Sequence, residues 1–464
     1  MLNIPHQVER ALSVLEQAGQ EAYLVGGCVR DALLGKTPAD WDVTTDASPE
    51  RMMELFQGYP LVEAGVKHGT VGVVIDGMQV EITVYRVDGE YSDGRHPDGV
   101  RFTDSLEEDL ARRDFTFNAI AYHPKRGMRD PFGGAEDLKN GVLRAVGEAD
   151  RRFQEDALRI LRGLRFLSTL GFTAEKETEA SMRRNKKLLR NISAERVRAE
   201  MEKTLLGPSA RRVLLSYGEI LAFVIPEIKP LIGFNQNNHW HDMDLYAHTL
   251  KTVEGVPDKA ALKWAALLHD IAKPSCAFTG RDGEDHFYNH APRGADMAWK
   301  ITERLKFDTE TRRAIYVLIR EHMTAPEPTE ASVCRAAIRC GEGYIADVLA
   351  LQLADTLALT ADGLSPRTET MPLTEKILAA RENSLRKSEA NIRVYEELIR
   401  KPHCFDTADL KLDGYRLEAM GFSGRDIGRA KKMLLLAVAD GKVKNEEEAL
   451  AAYAAQWVKG EKKG

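Results

Sequence analysis

A change of period near residue 150 constrains this chain more than any other feature of its sequence. Residues 20–125 alternate short apolar runs with turns: AYLVGG, TVGVVI, QVEITVYRV and FNAIAY. TVGVVI and QVEITVYRV are rich in β-branched residues and flank Asp76-Gly77, a pair suited to the left-handed backbone of a tight hairpin turn. From about residue 150 almost to the end, apolar residues recur at helical spacing instead, as in ALRILRGLRFL, AERVRAEMEKTLL and ALKWAALLHDIA. The first part can bury a pleated face and the second a helical stripe. The expected fold is therefore α+β: a small sheet-containing head followed by an elongated all-α body.

A chain of 464 residues suggests two to four domains. Its 43% hydrophobic and 29% charged residues exclude a disordered chain. No stretch approaches the ~20 apolar residues that cross a bilayer, so no membrane partner is expected. In MLNIPHQVERALSVLEQAG, Val8, Leu12 and Leu15 fall at helical spacing, which reads as a surface helix rather than a signal peptide. The five cysteines (Cys28, Cys276, Cys334, Cys340 and Cys404) are scattered and lack metal-ligand spacing, which points to free thiols in a cytoplasmic protein. The net charge is −6, yet residues 148–203 carry 14 Lys and Arg against 10 Asp and Glu. A local basic surface of that kind suits phosphate, although a solvated helical face has the same composition.

The sharpest constellation is LVGGCVRDALLGKTPADWDVTT. A strand is expected to end at Gly26-Gly27 and a helix to follow from Val29. Glycines let the backbone approach a phosphate, and the helix N-terminus offers unpaired N–H groups. In an extended segment, Asp40 and Asp42 would project to one side. Paired carboxylates can hold Mg²⁺ while phosphate oxygens complete its shell, and two such ions can activate an attacking hydroxyl and stabilise leaving pyrophosphate. Glu81, on an alternating strand, could supply a third carboxylate.

Further along stand LARRDFTFNAIAY (110–122), DPFGGAEDL (130–138), RRFQEDALRILRGLRF (151–166) and a helix spaced S-x-ER-x-x-x-E from Ser193 to Glu200. With the glycine turn and its Asp pair, this order of motifs resembles the class II tRNA nucleotidyltransferases (CCA-adding enzymes) and bacterial poly(A) polymerases. The resemblance covers roughly residues 20–205. It implies a nucleotidyltransferase head that adds CCA to the tRNA 3′ end from CTP and ATP with Mg²⁺ as cofactor. By that resemblance Asp40 and Asp42 would hold the metals and Glu81 would be the third acidic residue. Gly26, Gly27 and Arg30 would meet the triphosphate, and Arg113, Asp114 and Asn118 the incoming nucleotide.

The EDALR block has a physical reading of its own. Glu155, Asp156 and Arg159 are expected to open one helix, so that Asp156 and Arg159 share a face with Arg162 beyond them. Cytosine and adenine both present an amine beside an acceptor, which an Asp/Arg pair can meet. Uracil and guanine would leave both groups mismatched at about 1–3 kcal/mol each. The alternative is a set of ordinary helix ion pairs. The resemblance favours the selector and implies that Arg162 and Arg165 face phosphates. Between Glu81 and Arg113 a polar Gly/Asp-rich segment with Asp93 and Arg95 reads as a loop. In the resembling family such a loop accompanies addition of the terminal A, which leaves an A-adding-only enzyme or a poly(A) polymerase as narrower alternatives.

Most of the 12 histidines lie within 237–360, and their spacing matters. His248, His269-Asp270, His290, His322 and Asp355 could place imidazoles and carboxylates on adjacent helices, a donor set for a transition metal or Mg²⁺. The order H…HD…D resembles the HD superfamily of metal-dependent phosphohydrolases. It implies His248, His269, Asp270 and Asp355 as ligands of a first metal, with His290 and His322 available to a second. Asp347 competes with Asp355 for the last position, and Ala272 stands where the family usually has Gly. A different class of function follows from this part alone: a phosphohydrolase whose head merely binds RNA.

The expected domains are a catalytic head (1–145), a nucleotide-selecting neck (146–205), a helical body (206–385) with the HD-type region at about 237–360, and a tail (386–464). RRNKKLLRNISAERVR and LDGYRLEAMGFSGRDIGRAKKMLL are candidates for reading tRNA by shape. In the tail, Gly414, Gly421, Gly424 and Gly428 would allow close approach, and Arg425, Arg429, Lys431 and Lys432 would supply charge. A helix hairpin with a basic exposed face is the alternative; resemblance implies a grip on the tRNA elbow. Oligomeric state is not legible.

Overall fold

The computed structural model describes residues 2–88, 100–365, 368 and 374–460; Asp93, Arg95 and the extreme C-terminal residues 461–464 lie outside that set. The chain forms two compact units, Met1–Ser209 and Ala210–Gly464.

The first unit is built on seven strands: β1 (Ala22–Val25), β2 (Asp42–Thr45), β3 (Leu61–Val62), β4 (Thr70–Ile75), β5 (Met78–Val84), β6 (Ala121–His123) and β7 (Gly127–Arg129). They lie in the order β3-β4-β5-β2-β1-β6-β7. Within this sheet, among the described residues, β2 and β5 pair in parallel and the other neighbours antiparallel. The β4–β5 hairpin closes through Asp76 (φ 46°) and Gly77 (φ 80°), the left-handed pair that a two-residue turn needs. Helix α1 (His6–Gln17) is too short to be stable alone. It is held by burying Val8, Leu12 and Leu15 against Leu24, Val43, Val73 and Ile82, and each such side chain contributes about 1.5–3 kcal/mol. The opposite face of β1 is covered too: Tyr23 and Val25 pack with Leu110, Ala119 and Val146. Burial on both faces explains why AYLV is a continuous apolar run rather than an alternating one.

Helices α2 (Gly27–Leu33), α3 (Ala149–Glu155), α4 (Leu158–Leu170) and α5 (Ala194–Leu205) complete what positions the head site. Phe166 of α4 meets Phe117 edge-on at 5.2 Å and Phe115 at 5.8 Å, which anchors α4 to the RRDFT block. The sequence reading of one helix opening at Glu155 is corrected here. Helix α3 ends at Glu155, Asp156 is extended (φ −138°, ψ 103°) and α4 starts at Leu158. The Asp156 carboxylate accepts from the Leu158 N–H at 3.0 Å, so a side chain that meets an otherwise orphan donor takes the place of a helical turn.

The second unit is helical, with α6 (Leu245–Gly255), α7 (Ala260–Leu268), α8 (His290–Arg304), α9 (Thr309–Glu321), α10 (Glu342–Leu357) and α11 (Glu375–Leu398). It also holds a two-stranded ladder, β8 (Phe278–Thr279) with β9 (Asp285–His286), in a part of the chain expected to be wholly helical. The tail helices Gly414–Ala419, Arg425–Ala439 and Glu447–Gly460 bury Leu412, Leu417, Leu434 and Leu450 in a cluster of their own. Gly421 (φ 99°) and Gly424 (φ 51°) are required there by backbone conformation. Among the described residues no helix is long and apolar enough to cross a membrane. All five cysteines are free thiols.

Candidate active site in the head and candidate metal centre in the body

Asp42 opens β2 and stands opposite Glu81 of β5 in the parallel register. Asp40 lies in the bend before β2, so the strand alternation expected to align it with Asp42 does not reach it. Its charge does reach Asp42. Burial first, then Asp40 and Glu81, push the Asp42 carboxyl up to about 6, with Arg113 opposing. Gly26 has φ 78°, and a Cβ there would come within 3.1 Å of Arg113 Nη1 and 3.9 Å of Asp42 Oδ2. The glycine turn thus lies close to both an arginine and the half-buried Asp42 carboxylate. Hard oxygen donors carrying more negative charge than Arg113 neutralises suit Mg²⁺. Their oxygens are not among the described ligand groups that all fall within 4.8 Å of one another.

A second cluster extends from the same turn. The Arg30 guanidinium donates to Asn118 Oδ1 (2.8 Å) and pairs with Asp31 (2.8 Å), while Asn118 Nδ2 donates to Asp114 (3.0 Å). Arg162 pairs with the other Asp114 oxygen at 2.5 Å and Arg165 with Glu200 at 3.1 Å. Arg30, Arg162 and Arg165 all sit around the Phe166 ring, at 5.2, 5.7 and 4.3 Å from its centroid. A Cβ at Gly27 would stand 3.7 Å from Arg30 Nη2. Asp156 and Arg159 take separate partners. Asp156 accepts from Arg196 (3.1 Å), whereas Arg159 donates to Glu155 (3.0 Å) and to the carbonyls of Arg152 and Arg112.

Burial acts to raise Asp114, but Arg162 and Asn118 hold it down at about 2. A lowered carboxylate contributes stability that is present above its unfolded value of about 3.9 and is lost as pH falls through the folded value. Between about pH 4 and pH 2 the head is therefore expected to lose about 2 kcal/mol from this group. Urea unfolding over that range should show the loss in the native protein and not in Asp114→Asn.

Sequence reasoning missed Asp109. It is fully buried and held by Arg112 (2.7 Å) and Arg113 (3.1 Å), and it thereby orients the arginine beside Asp42. The i+3 and i+4 spacing in DLARR was the available signal. It also missed the Cys28 thiol, which donates to the Val25 carbonyl at 3.3 Å and to that of Asp42 at 3.7 Å, fastening α2 beside β2.

In the body, His248 comes from α6, His269 and Asp270 follow α7, His290 opens α8, His322 follows α9 and Asp355 lies in α10. Asp270 stands between two groups. Its Oδ2 is 3.1 Å from His269 Nε2 and 3.6 Å from His248 Nε2. Its Oδ1 is 3.3 Å from His290 Nε2 and 3.8 Å from His322 Nε2. Asp355 closes the first group, 2.9 Å from His248. Ligand atoms within 4.8 Å of one another define two sets, His248–His269–Asp270–Asp355 and Asp270–His290–His322. Asp347 is held elsewhere, by Lys259 at 2.7 Å.

The ring tautomers follow from the backbone. Nδ1 of His248, His269, His290 and His322 lies against the carbonyls of Ala358, Ala266, Phe287 and Ile319 at 2.6–3.2 Å. A carbonyl only accepts, so each Nδ1 carries the proton and each Nε2 lone pair faces the carboxylates. Nε2 of His248 and His269 and both Asp270 oxygens are buried without a hydrogen-bond partner. Lys273 meets part of the charge on Asp270, and the converging imidazole and carboxylate donors suit a divalent metal. A proton competes for the same place. Burial disfavours charge on His269, but Asp270 and Asp355 raise it to about 10. Lys273, absent from the sequence reading, reaches Asp270 Oδ2 (2.7 Å), Gln236 (3.0 Å) and His241 (3.4 Å).

The chain thus carries a sheet unit with acidic residues at a glycine turn and, after it in sequence, a helical unit with a histidine cluster. Residues 22–144 match the poly A polymerase head domain, 171–232 the "Probable RNA and SrmB- binding site of polymerase A", and 240–378 the HD domain. The head is accordingly similar to the poly A polymerase head domain and the body segment to the HD domain. The CCA-adding enzyme of Geobacillus stearothermophilus is 50% identical over 200 residues, 43% of this chain and 49% of that protein. The chain spans about half the length of the curated relatives it matches. The structure of the Bacillus stearothermophilus CCA-adding enzyme in complex with CTP matches with a TM-score of 0.70 at 28% identity, covering 99% of this chain and 98% of that one. The Thermotoga maritima CCA-adding enzyme complexed with tRNA shares the fold at a TM-score of 0.58 and 18% identity, over 98% of this chain and 96% of that one.

Proposed function

We propose that this chain completes the 3′ end of tRNA, adding C, C and A from CTP and ATP without a nucleic-acid template. The observation that carries the proposal is the register that sets Asp42 beside Glu81 at the mouth of the glycine turn. The likeness to CCA-adding enzymes supports it. Asp40 and Asp42, with Glu81 alongside, would hold Mg²⁺, which when bound supplies activation of the tRNA 3′ hydroxyl and charge neutralisation at the pyrophosphate. Gly26 and Gly27 admit the triphosphate to the backbone, and Arg30 and Arg113 neutralise it. Asp114 and Asn118 set the positions of Arg162 and Arg30 around the incoming nucleotide. Asp156 and Arg159 read the base edge after exchanging their present partners, Arg196 and Glu155, for it. Within this reading the head spans 1–145, the selecting neck 146–205, the body 206–385 and an elbow-binding tail 386–464. Free thiols suit the cytoplasm, where tRNA is matured.

Single-nucleotide addition to a tRNA transcript with CTP, ATP, UTP and GTP tests the selector. C and A should be added and U and G rejected, and Asp156→Ala should narrow the preference about ten- to hundredfold. An unchanged preference in that variant would remove Asp156 from the reading.

A second reading is favoured by the orphaned atoms of the histidine cluster. We propose that the HD-type body holds one or two divalent metals and hydrolyses a phosphoester on RNA ends or nucleotides. Metal-loaded protein inactive on a panel of both would count against it.

A further inference from the structure

A cavity of about 500 Å³ opens onto the histidine cluster, and its two ends differ in chemistry. Lys273, His290 and Asp355 line the inner end; Trp240, His286 and Tyr288 line the outer part. The outer rings are unusually exposed, Tyr288 at 68% and Trp240 at 37%, with Phe278 beside them at 48%. Folding gains little from aromatic rings left in water, so a patch of them at a cavity mouth calls for a ligand.

The rings are also fixed in place. His286 lies parallel to Tyr288, 2° apart with centroids at 5.7 Å, and Phe278 supports both at 5.5 Å. Asp282 holds His286 Nε2 at 3.1 Å across the β8–β9 turn. The Trp240 loop is tied to the same hairpin, by His239 Nδ1 against Glu284 Oε1 (2.6 Å) and by the Asp285 N–H donating to the Asn237 carbonyl (3.1 Å). Two pre-ordered aromatic surfaces thus line an entrance whose inner end holds the Lys273 ammonium beside the metal-ligating His290 and Asp355.

We propose that Trp240 and Tyr288 form a nucleobase-stacking subsite for the histidine cluster, so that its ligand is a nucleoside phosphate ester with the base at the mouth and the phosphate at the floor. Every base has a π-face, so the subsite grips nucleotides without selecting strongly among bases. A free nucleotide and the last nucleotide of an RNA strand share this chemistry. The proposal deepens the phosphoester reading of the cluster, but stacking does not depend on hydrolysis.

The test is photo-crosslinking of the full chain with 8-azidoadenosine 3′-monophosphate, followed by peptide mapping, which separates label on the head from label on the body. Label is expected on the peptides of Trp240 or Tyr288, reduced about tenfold or more in Trp240→Ala and Tyr288→Ala and retained in Tyr288→Phe. Adenosine 3′-monophosphate or a 3′-phosphorylated oligoadenylate should compete, the stronger competitor naming the source, and ribose 5-phosphate should not. Equal labelling in the alanine variants, or equal competition by ribose 5-phosphate, would overturn the subsite. Labelled platform residues in a protein that hydrolyses nothing would sink the phosphoester reading alone.

Discussion

Replacing Asp42 with alanine is expected to lower nucleotide incorporation by about a thousandfold or more while the protein becomes slightly more stable near neutral pH. Loss of a group that holds the charge-neutralising ions at a phosphoryl centre removes several kcal/mol of transition-state stabilisation. The stability change has the opposite sign because Asp42 is held charged against burial and against Asp40 and Glu81, which raise it to about 6. A raised carboxylate contributes stability below its unfolded value of about 3.9 and loses it as pH rises through the folded value. Above about pH 6 the charge is thus a net cost that alanine removes. A purely structural carboxylate would lose stability on substitution. Thermal unfolding at pH 7 without divalent ions, beside single-turnover incorporation, separates the two.

The second large effect is expected from Asp270→Ala in the body. Asp270 belongs to both donor sets, one oxygen turned to His248 and His269 and the other to His290 and His322. Removing it should abolish bound divalent metal, measured by elemental analysis after gel filtration. Saturating metal at about a thousandfold above its dissociation constant stabilises a folded protein by about 4 kcal/mol. The native protein should therefore unfold several degrees higher with metal than with chelator, and Asp270→Ala should show no difference. Asp355→Ala breaks the first set only and should keep part of the response. A full metal response in Asp270→Ala would dismiss the bridging role.

Residue types and local turns carried much of this into the sequence. Asp76-Gly77 announced its hairpin because two left-handed positions in succession leave few other residues to choose. The histidines announced a cluster, since order and spacing survive folding. The choice between Asp347 and Asp355 was not legible: both lie on α10 about two turns apart, and only packing with α6 sends one to His248 and the other to Lys259. The pairing of Asp42 with Glu81 depends on a parallel register between distant segments, which no local pattern encodes. The break at Asp156 was hidden because the helical period is kept on both sides of it, and a single carboxylate-to-N–H bond interrupts it. The β8–β9 hairpin was hidden for a different reason: its ladder is only two residues long on each side, too short for alternation to register.

Purified protein, Mg²⁺ and tRNA transcripts ending before CCA, after C and after CC, supplied with CTP and ATP separately and together, decide whether this chain completes CCA. The first transcript is expected to gain C, C and A with both nucleotides and to stop after two additions with CTP alone, all of it lost in Asp42→Ala. Addition of a single A only to the CC-ended transcript, or incorporation undiminished in Asp42→Ala, would contradict the proposed reaction.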